Sequence, residues 1–222
     1  VSCLLEEFRI VKRSVLSSMR KAQETATGCQ AHRILVSSPL PDDGKSFCAV
    51  NLAIALAAEK DSEVLLVDAD FAKPSVLSML GLPGGDGLMD VLANPKIQLE
   101  DCVLKTDIAG LSVLSAGNHT NSDSEFLASN RTEQVLDALT RGAPNRVVIF
   151  DSPPALAASP AAELADHVGQ AIVIARADRT GQSALEDALT LLSTCPDIKL
   201  LLNAAHFSPS GRRFGAYYGQ DG

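Results

Sequence analysis

Tryptophan is absent from this 222-residue chain, and tyrosine occurs only twice, as Tyr217 and Tyr218 in the last six residues. The core is therefore built without either side chain, and the 46% hydrophobic content is ample for an aliphatic one. No CxxC pair occurs among the five scattered cysteines, Cys3, Cys29, Cys48, Cys102 and Cys195. That argues against a zinc site or a disulfide frame and fits reduced thiols in a cytosolic protein. Positive charge is short as well: 19 Lys and Arg stand against 27 Asp and Glu, a formal net charge of −8. Broad binding to nucleic acid or to an anionic membrane needs a positive field, so both are disfavoured. No apolar run reaches the ~18 residues of a membrane span, and no secretory signal is visible. The chain opens on Val1 and not Met, which leaves room for a lost upstream segment.

What is present is an alternation. Residues 4–26 carry Phe8, Val11, Val15 and Met19 at three- and four-residue spacing, the period of an amphipathic helix. RILVSS (33–38), EVLLVDAD (63–70), LSVLSAG (111–117), RVVIFDSPP (146–154), QAIVIARA (170–177) and KLLLNAA (199–205) read as strands. Between them, 45–60 reads as a buried helix, 87–95 as a short helix, and 123–141 and the region near 180–194 as helices. Several strands are unbroken Val/Ile/Leu runs, the pattern of a parallel sheet covered on both faces. The expected fold is α/β, a single domain with a mostly parallel central sheet flanked by helices on both faces. The end, 208–222, is rich in Gly and Ser without apolar periodicity and reads as a mobile tail.

The chemistry starts at SSPLPDDGKSF, Ser37 to Phe47. A strand, a tight loop, Gly-Lys-Ser and a buried helix in that order are the context of a phosphate-binding loop. Backbone N–H groups and the helix start favour phosphate oxygens, Lys45 can reach the terminal phosphates, and Ser46 can ligate Mg²⁺. The full GxxxxGK[ST] pattern is not met, because Pro39 stands at its first glycine. Taken alone, the loop only modestly favours a nucleotide site over a plain strand-to-helix turn. Two strands end in aspartate, at Asp68 and Asp70 and at Asp151. Ligands collect at the carboxyl ends of parallel strands, and Mg²⁺ takes one or two carboxylates plus phosphate oxygens. Each aspartate singly could be a helix cap or turn residue. Three of them beside a GKS loop make a P-loop NTPase-like site the better reading.

SPLPDDGKSF, VLLVDADFAKPS and VVIFDSPP resemble the Walker A, Walker A′ and Walker B motifs of the bacterial tyrosine kinases. EEFRIVKRSVL, GLMDVL, DSPPAL and the aromatic tail resemble in particular the exosortase-associated exopolysaccharide tyrosine autokinases. The resemblance runs from about Glu6 to Tyr218. It implies ATP as cofactor with Mg²⁺ as metal. It implies a nucleotide site at Asp42, Asp43, Gly44, Lys45, Ser46 and Phe47, and an adenine contact at Asn203. Lys45 would bind the β- and γ-phosphates. Ser46, Asp70 and Asp151 would form the metal shell, and Asp68 would orient or deprotonate an incoming tyrosine hydroxyl. The family usually has Gly where Asp42 stands and Arg where Lys73 stands, so weaker ATP binding is part of the expectation.

The resemblance divides the chain into an N-terminal helix at 1–30, a P-loop kinase domain at 31–205 and a tyrosine-bearing tail at 206–222. Glu6, Arg9 and Lys12, with Arg13 adjacent, match a family helix pattern that joins subunits into a ring. Tyr217 and Tyr218 are the expected autophosphorylation sites, delivered to another subunit by the tail. Implied partners are further copies of the chain, a membrane chain-length-determinant protein that activates it, and a cognate phosphatase, with no nucleic acid. The implied location is cytoplasmic, peripheral to the inner membrane, and the implied role is control of exopolysaccharide or capsule synthesis and export. Two other readings stand beside it. A cell-division or plasmid-partitioning ATPase carries an additional lysine early in the loop. Here Leu40 takes that position and no lysine lies between Ser37 and Gly44. A nucleotide-binding pseudokinase scaffold has only Asp42 and Pro39 in its favour.

Overall fold

The computed structural model describes residues 3–25, 28–118 and 122–205. Seven strands form one sheet: β1 (Arg33–Ser37), β2 (Glu63–Asp68), β3 (Val103–Lys105), β4 (Leu111–Leu114), β5 (Arg146–Asp151), β6 (Gln170–Arg176) and β7 (Ile198–Asn203). Their spatial order is β3-β4-β2-β5-β1-β6-β7. All neighbours are parallel except β3 and β4, which run antiparallel. The α/β expectation holds, with β3 as an added edge strand too short to show a pattern of its own.

Nine α-helices surround the sheet among the described residues: α1 (Cys3–Thr25), α2 (Lys45–Ala57), α3 (Val76–Leu80), α4 (Leu88–Ala93), α5 (Leu99–Cys102), α6 (Asp123–Leu127), α7 (Asn130–Thr140), α8 (Pro160–Ala165) and α9 (Gln182–Leu191). Alternate strand residues feed two cores. Ile34, Val36, Val64, Leu66, Ile149 and Ile174 pack with Phe8, Val15 and Met19 of α1 and with the apolar residues of α2. Leu35, Leu65, Val67, Val148, Phe150 and Val173 pack with α4, α7 and α8. Strands buried on both faces have no polar side to alternate, hence the unbroken apolar runs. A fully buried Leu or Ile contributes roughly 1.5–3 kcal/mol, so this double core is the main support of the fold.

The expected helical segment 123–141 is helical, as two helices. Ser129 turns extended, and Ser129 Oγ and Thr132 Oγ1 both donate to the carbonyl of Phe126, ending α6 and starting α7. The strands stop two or three residues short of the ends of EVLLVDAD, LSVLSAG and RVVIFDSPP, a correction to their expected bounds, because those residues leave the sheet as loops. These loops build the site.

Candidate functional site

The carboxyl ends of β1, β2 and β5 lie side by side at the centre of the sheet. A cleft of about 380 Å³ opens above them, lined by the loop residues Pro41, Asp42 and Gly44, by Lys45, Ser46 and Phe47 of α2, and by Asp70, Lys73, Pro153 and Pro154. Two larger cavities lie elsewhere, one bounded by Glu63, Lys105 and Arg146, the other by Arg9, Arg13 and Arg20. Neither adjoins the loop, so the smaller cleft is the candidate site.

The loop is braced from below. Ser37 Oγ donates to the carbonyl of Pro153, and Ser152 Oγ donates to that of Val36. The carbonyl of Pro39 accepts the N–H of Leu156, so this residue, which has no N–H of its own, is still tied in. Asp43 is fully buried, and its Oδ2 accepts the N–H of Leu40 at 3.2 Å. Asp42 takes the left-handed conformation, φ 64°, that the missing glycine would have taken freely. Gly44 needs to be glycine twice over. Its φ is 96°, and a Cβ there would come within 2.1 Å of Asn203 Nδ2.

Lys45 Nζ lies 2.8 Å from Asp70 Oδ2, 3.2 Å from Ser46 Oγ and 4.0 Å from Asp151 Oδ1. Asp70 is 4% exposed, and its Oδ1 also accepts the N–H of Lys73. Asp151 is fully buried, and neither carboxylate oxygen has a hydrogen-bond partner among the described residues. Burial pushes its carboxyl up to about 7, against the pull of the Lys45 charge. An unpartnered buried carboxylate is costly unless something binds it. Among the described residues no cluster of three His, Cys, Asp or Glu forms a cage. Mg²⁺ needs none when phosphate and water complete its shell. Ser46, Asp70 and Asp151 are thus a donor set of the right chemistry.

Asp68 is differently occupied. Its Oδ2 accepts the N–H groups of Ser75 and Val76 at the start of α3, and its Oδ1 accepts that of Asp70. Burial raises its carboxyl above the ordinary range in spite of these three donors. Phe47 packs edge-on against Phe8, with ring centroids 6.5 Å apart. Asn203 Nδ2 donates to the carbonyl of Asp43 at 2.9 Å, which places it against the loop. Arg176, at the end of β6, escaped the sequence reading. Its Nη1 donates to the carbonyl of Asp42 at 3.0 Å. A cation closing an apolar strand, at the same end as Asp68 and Asp151, was the available signal.

The expected subunit-contact residues lie on α1, away from the cleft. Arg9 pairs with Glu6, Lys12 lies 2.5 Å from Glu59, and Arg13 is exposed. Tyr217 and Tyr218 lie outside the described residues. No helix among the described residues is long and apolar enough to cross a membrane.

The ParA family profile, described as NUBPL iron-transfer P-loop NTPase, matches residues 30–184. Tyrosine-protein kinase YwqD of Bacillus subtilis (strain 168) is 31% identical over 75% of this chain and 68% of its own length. The chain is a ParA-family P-loop NTPase of the bacterial tyrosine kinase group. Tyrosine-protein kinase ptk of Acinetobacter johnsonii is 35% identical over 77% of this chain. The chain spans only 23% of that relative's length. Among solved structures, the BceF tyrosine kinase domain superposes with a TM-score of 0.74 at 29% identity, covering 88% of this chain and 76% of that one. Membership of this P-loop NTPase family implies nucleotide binding, and the cleft above β1, β2 and β5 is the candidate site for it.

Proposed function

We propose that this chain is the catalytic domain of an ATP-dependent protein-tyrosine autokinase that regulates exopolysaccharide or capsule synthesis and export. The observation that carries the reading is Lys45, held 2.8 Å from Asp70 and 4.0 Å from Asp151 at the start of α2. A cation between two buried carboxylates on a phosphate loop is what phosphoryl transfer requires, since that chemistry rests on positioning and charge neutralisation. Lys45 exchanges Asp70 for the β- and γ-phosphates. Ser46, Asp70 and Asp151 would hold Mg²⁺, directly or through water. When bound, Mg²⁺ neutralises charge on the transferred phosphoryl oxygens. The N–H groups of Asp42 to Phe47 cradle the phosphates. Asp68 orients or accepts the proton of the incoming tyrosine hydroxyl, and to do so one of its oxygens releases Ser75 or Val76.

The acceptors are Tyr217 and Tyr218, delivered in trans by the tail, 206–222. Each phosphate adds about −1.5 to −2 charges next to Arg212 and Arg213 and detaches the tail from the acidic site. Residues 1–30 supply a ring contact through Glu6, Arg9, Lys12 and Arg13. A membrane chain-length-determinant protein activates the domain, a cognate phosphatase resets it, and it works at the cytoplasmic side of the inner membrane. ParA-family membership also supports an ATPase switch. The absence of any lysine between Ser37 and Gly44 argues against that alternative. A pseudokinase scaffold would bind nucleotide without transferring phosphate.

Intact mass spectrometry before and after incubation with Mg-ATP tests the reading, with fragmentation to locate the phosphate. Phosphate on Tyr217 or Tyr218 in the wild type but not in Lys45→Met is expected. Nucleotide binding with no phosphate under any condition, activator included, would make the chain a pseudokinase.

A further inference from the structure

Arg176 closes β6 and Asn203 closes β7, so both stand at the carboxyl edge of the sheet beside the phosphate loop. Arg176 Nη1 donates to the carbonyl of Asp42 at 3.0 Å, and Asn203 Nδ2 donates to the carbonyl of Asp43 at 2.9 Å. No cis peptide occurs among the described residues, and in a trans peptide the C=O and N–H point to opposite sides. The unit that carries the Asp42 carbonyl also carries the N–H of Asp43. The next unit pairs the Asp43 carbonyl with the N–H of Gly44. Two side-chain donors on one side of the loop therefore turn two consecutive N–H groups to the other. Among the described residues, no acceptor takes the N–H of any residue from Asp42 to Phe47.

We propose that Arg176 is a positioning residue of the nucleotide site, with Asn203 as its companion. Together they fix the peptide units after Asp42 and Asp43, so that the amides of Asp43 and Gly44 face the phosphates of the bound nucleotide. The device matters more here than at a glycine loop. Asp42 holds φ 64° at a steric cost that glycine escapes, and a donor on its carbonyl opposes relaxation of that unit. Arg179 Nη2, 3.8 Å from Asp42 Oδ2, adds a cation beside the carboxylate that the loop gains in place of a glycine. Preorganised backbone donors bind an anion without reorganising, so the amides lose affinity when the peptide units are free to turn. The inference rests on the nucleotide-binding reading of the cleft.

The test uses the chain as it stands, with MgADP as probe. Calorimetry gives the Kd, and hydrogen exchange at saturating MgADP gives the protection of residues 42–47. Arg176→Met is expected to raise the Kd about tenfold or more, the loss of one charge-assisted hydrogen bond, and to reduce loop protection even at saturation. Arg176→Lys, which still donates to one carbonyl, is expected to recover most of both. An unchanged Kd in Arg176→Met overturns the inference. So does a raised Kd with full loop protection at saturation, which would make Arg176 a direct nucleotide contact. A lowered melting temperature without nucleotide, not rescued by Lys, would reduce it to a support of the fold. Wild-type protein that binds no MgADP overturns the kinase reading, and this inference with it.

Discussion

Asp68 and Asp151 are register partners on the adjacent parallel strands β2 and β5, and the sheet gives their carboxylates different surroundings. Asp68 accepts three backbone N–H groups, whereas Asp151 is equally buried and accepts no hydrogen bond among the described residues. The same register thus sets a carboxylate that organises a loop beside one that organises none.

Asp151→Asn removes a buried charge that accepts no hydrogen bond among the described residues, and leaves Lys45, 4.0 Å away, with its nearer partner Asp70. We expect it to raise the stability of the nucleotide-free protein by about 1–3 kcal/mol while abolishing Mg²⁺-dependent phosphate transfer. Thermal unfolding and phosphate incorporation on the same preparation check both halves. A destabilised Asp151→Asn would mean that the ion pair with Lys45 outweighs the cost of burying the carboxylate.

Lys45→Met should reduce phosphate incorporation by at least about 100-fold. The geometry adds a cost in stability. Asp70 loses the cation 2.8 Å away, and an uncompensated buried charge costs about 3–5 kcal/mol at the upper end. Circular dichroism should show a folded protein with a lower melting temperature. Incorporation at the wild-type rate would remove Lys45 from the site.

Asp42 and Gly44 both hold positive φ, and their substitutions should diverge. Asp42→Gly relieves left-handed strain and should leave stability equal or up to about 1 kcal/mol higher. Gly44→Ala combines strain with a clash against Asn203 and should cost about 2–3 kcal/mol or more. Denaturant titration of the two variants decides it. Equal loss in both would mean that Asp42 makes contacts its exposure does not suggest.

Tyr217→Phe together with Tyr218→Phe should remove every phosphotyrosine from the chain, since no other tyrosine exists. Phosphoamino-acid analysis after incubation with Mg-ATP reads this directly. Phosphate retained on serine or threonine would change the acceptor class.

Cys48 is buried beside Asp151, and burial, with the negative charge of Asp151, pushes its thiol up to about 12. In the unfolded chain it ionises near 9. Folding therefore holds a proton that the unfolded state releases, and this group erodes stability as pH rises from about 9 towards 12. At pH 8 Cys48, Cys102 and Cys195, all buried, should resist iodoacetamide in the native protein and react after denaturation. Peptide mapping locates the label, and rapid native labelling of Cys48 would contradict its burial.

The α/β architecture was legible because strands buried on both faces must be continuously apolar, and the GKS loop gained weight only from the aspartates that close two of those strands. That Lys45, Ser46, Asp70 and Asp151 come together was legible because parallel strands deliver their carboxyl ends to one edge. What the sequence could not supply is which groups satisfy one another across the chain. Nothing in the order of residues says that Asp68 spends its oxygens on Ser75 and Val76 while Asp151 keeps both unpartnered. Nor does it say that Arg176, 134 positions from Asp42, closes on that residue's carbonyl. Local pattern determines periodicity, burial and loop chemistry, because these depend on near neighbours. The assignment of donors to acceptors depends on which strand ends the sheet order brings together, and only the tertiary structure decided that.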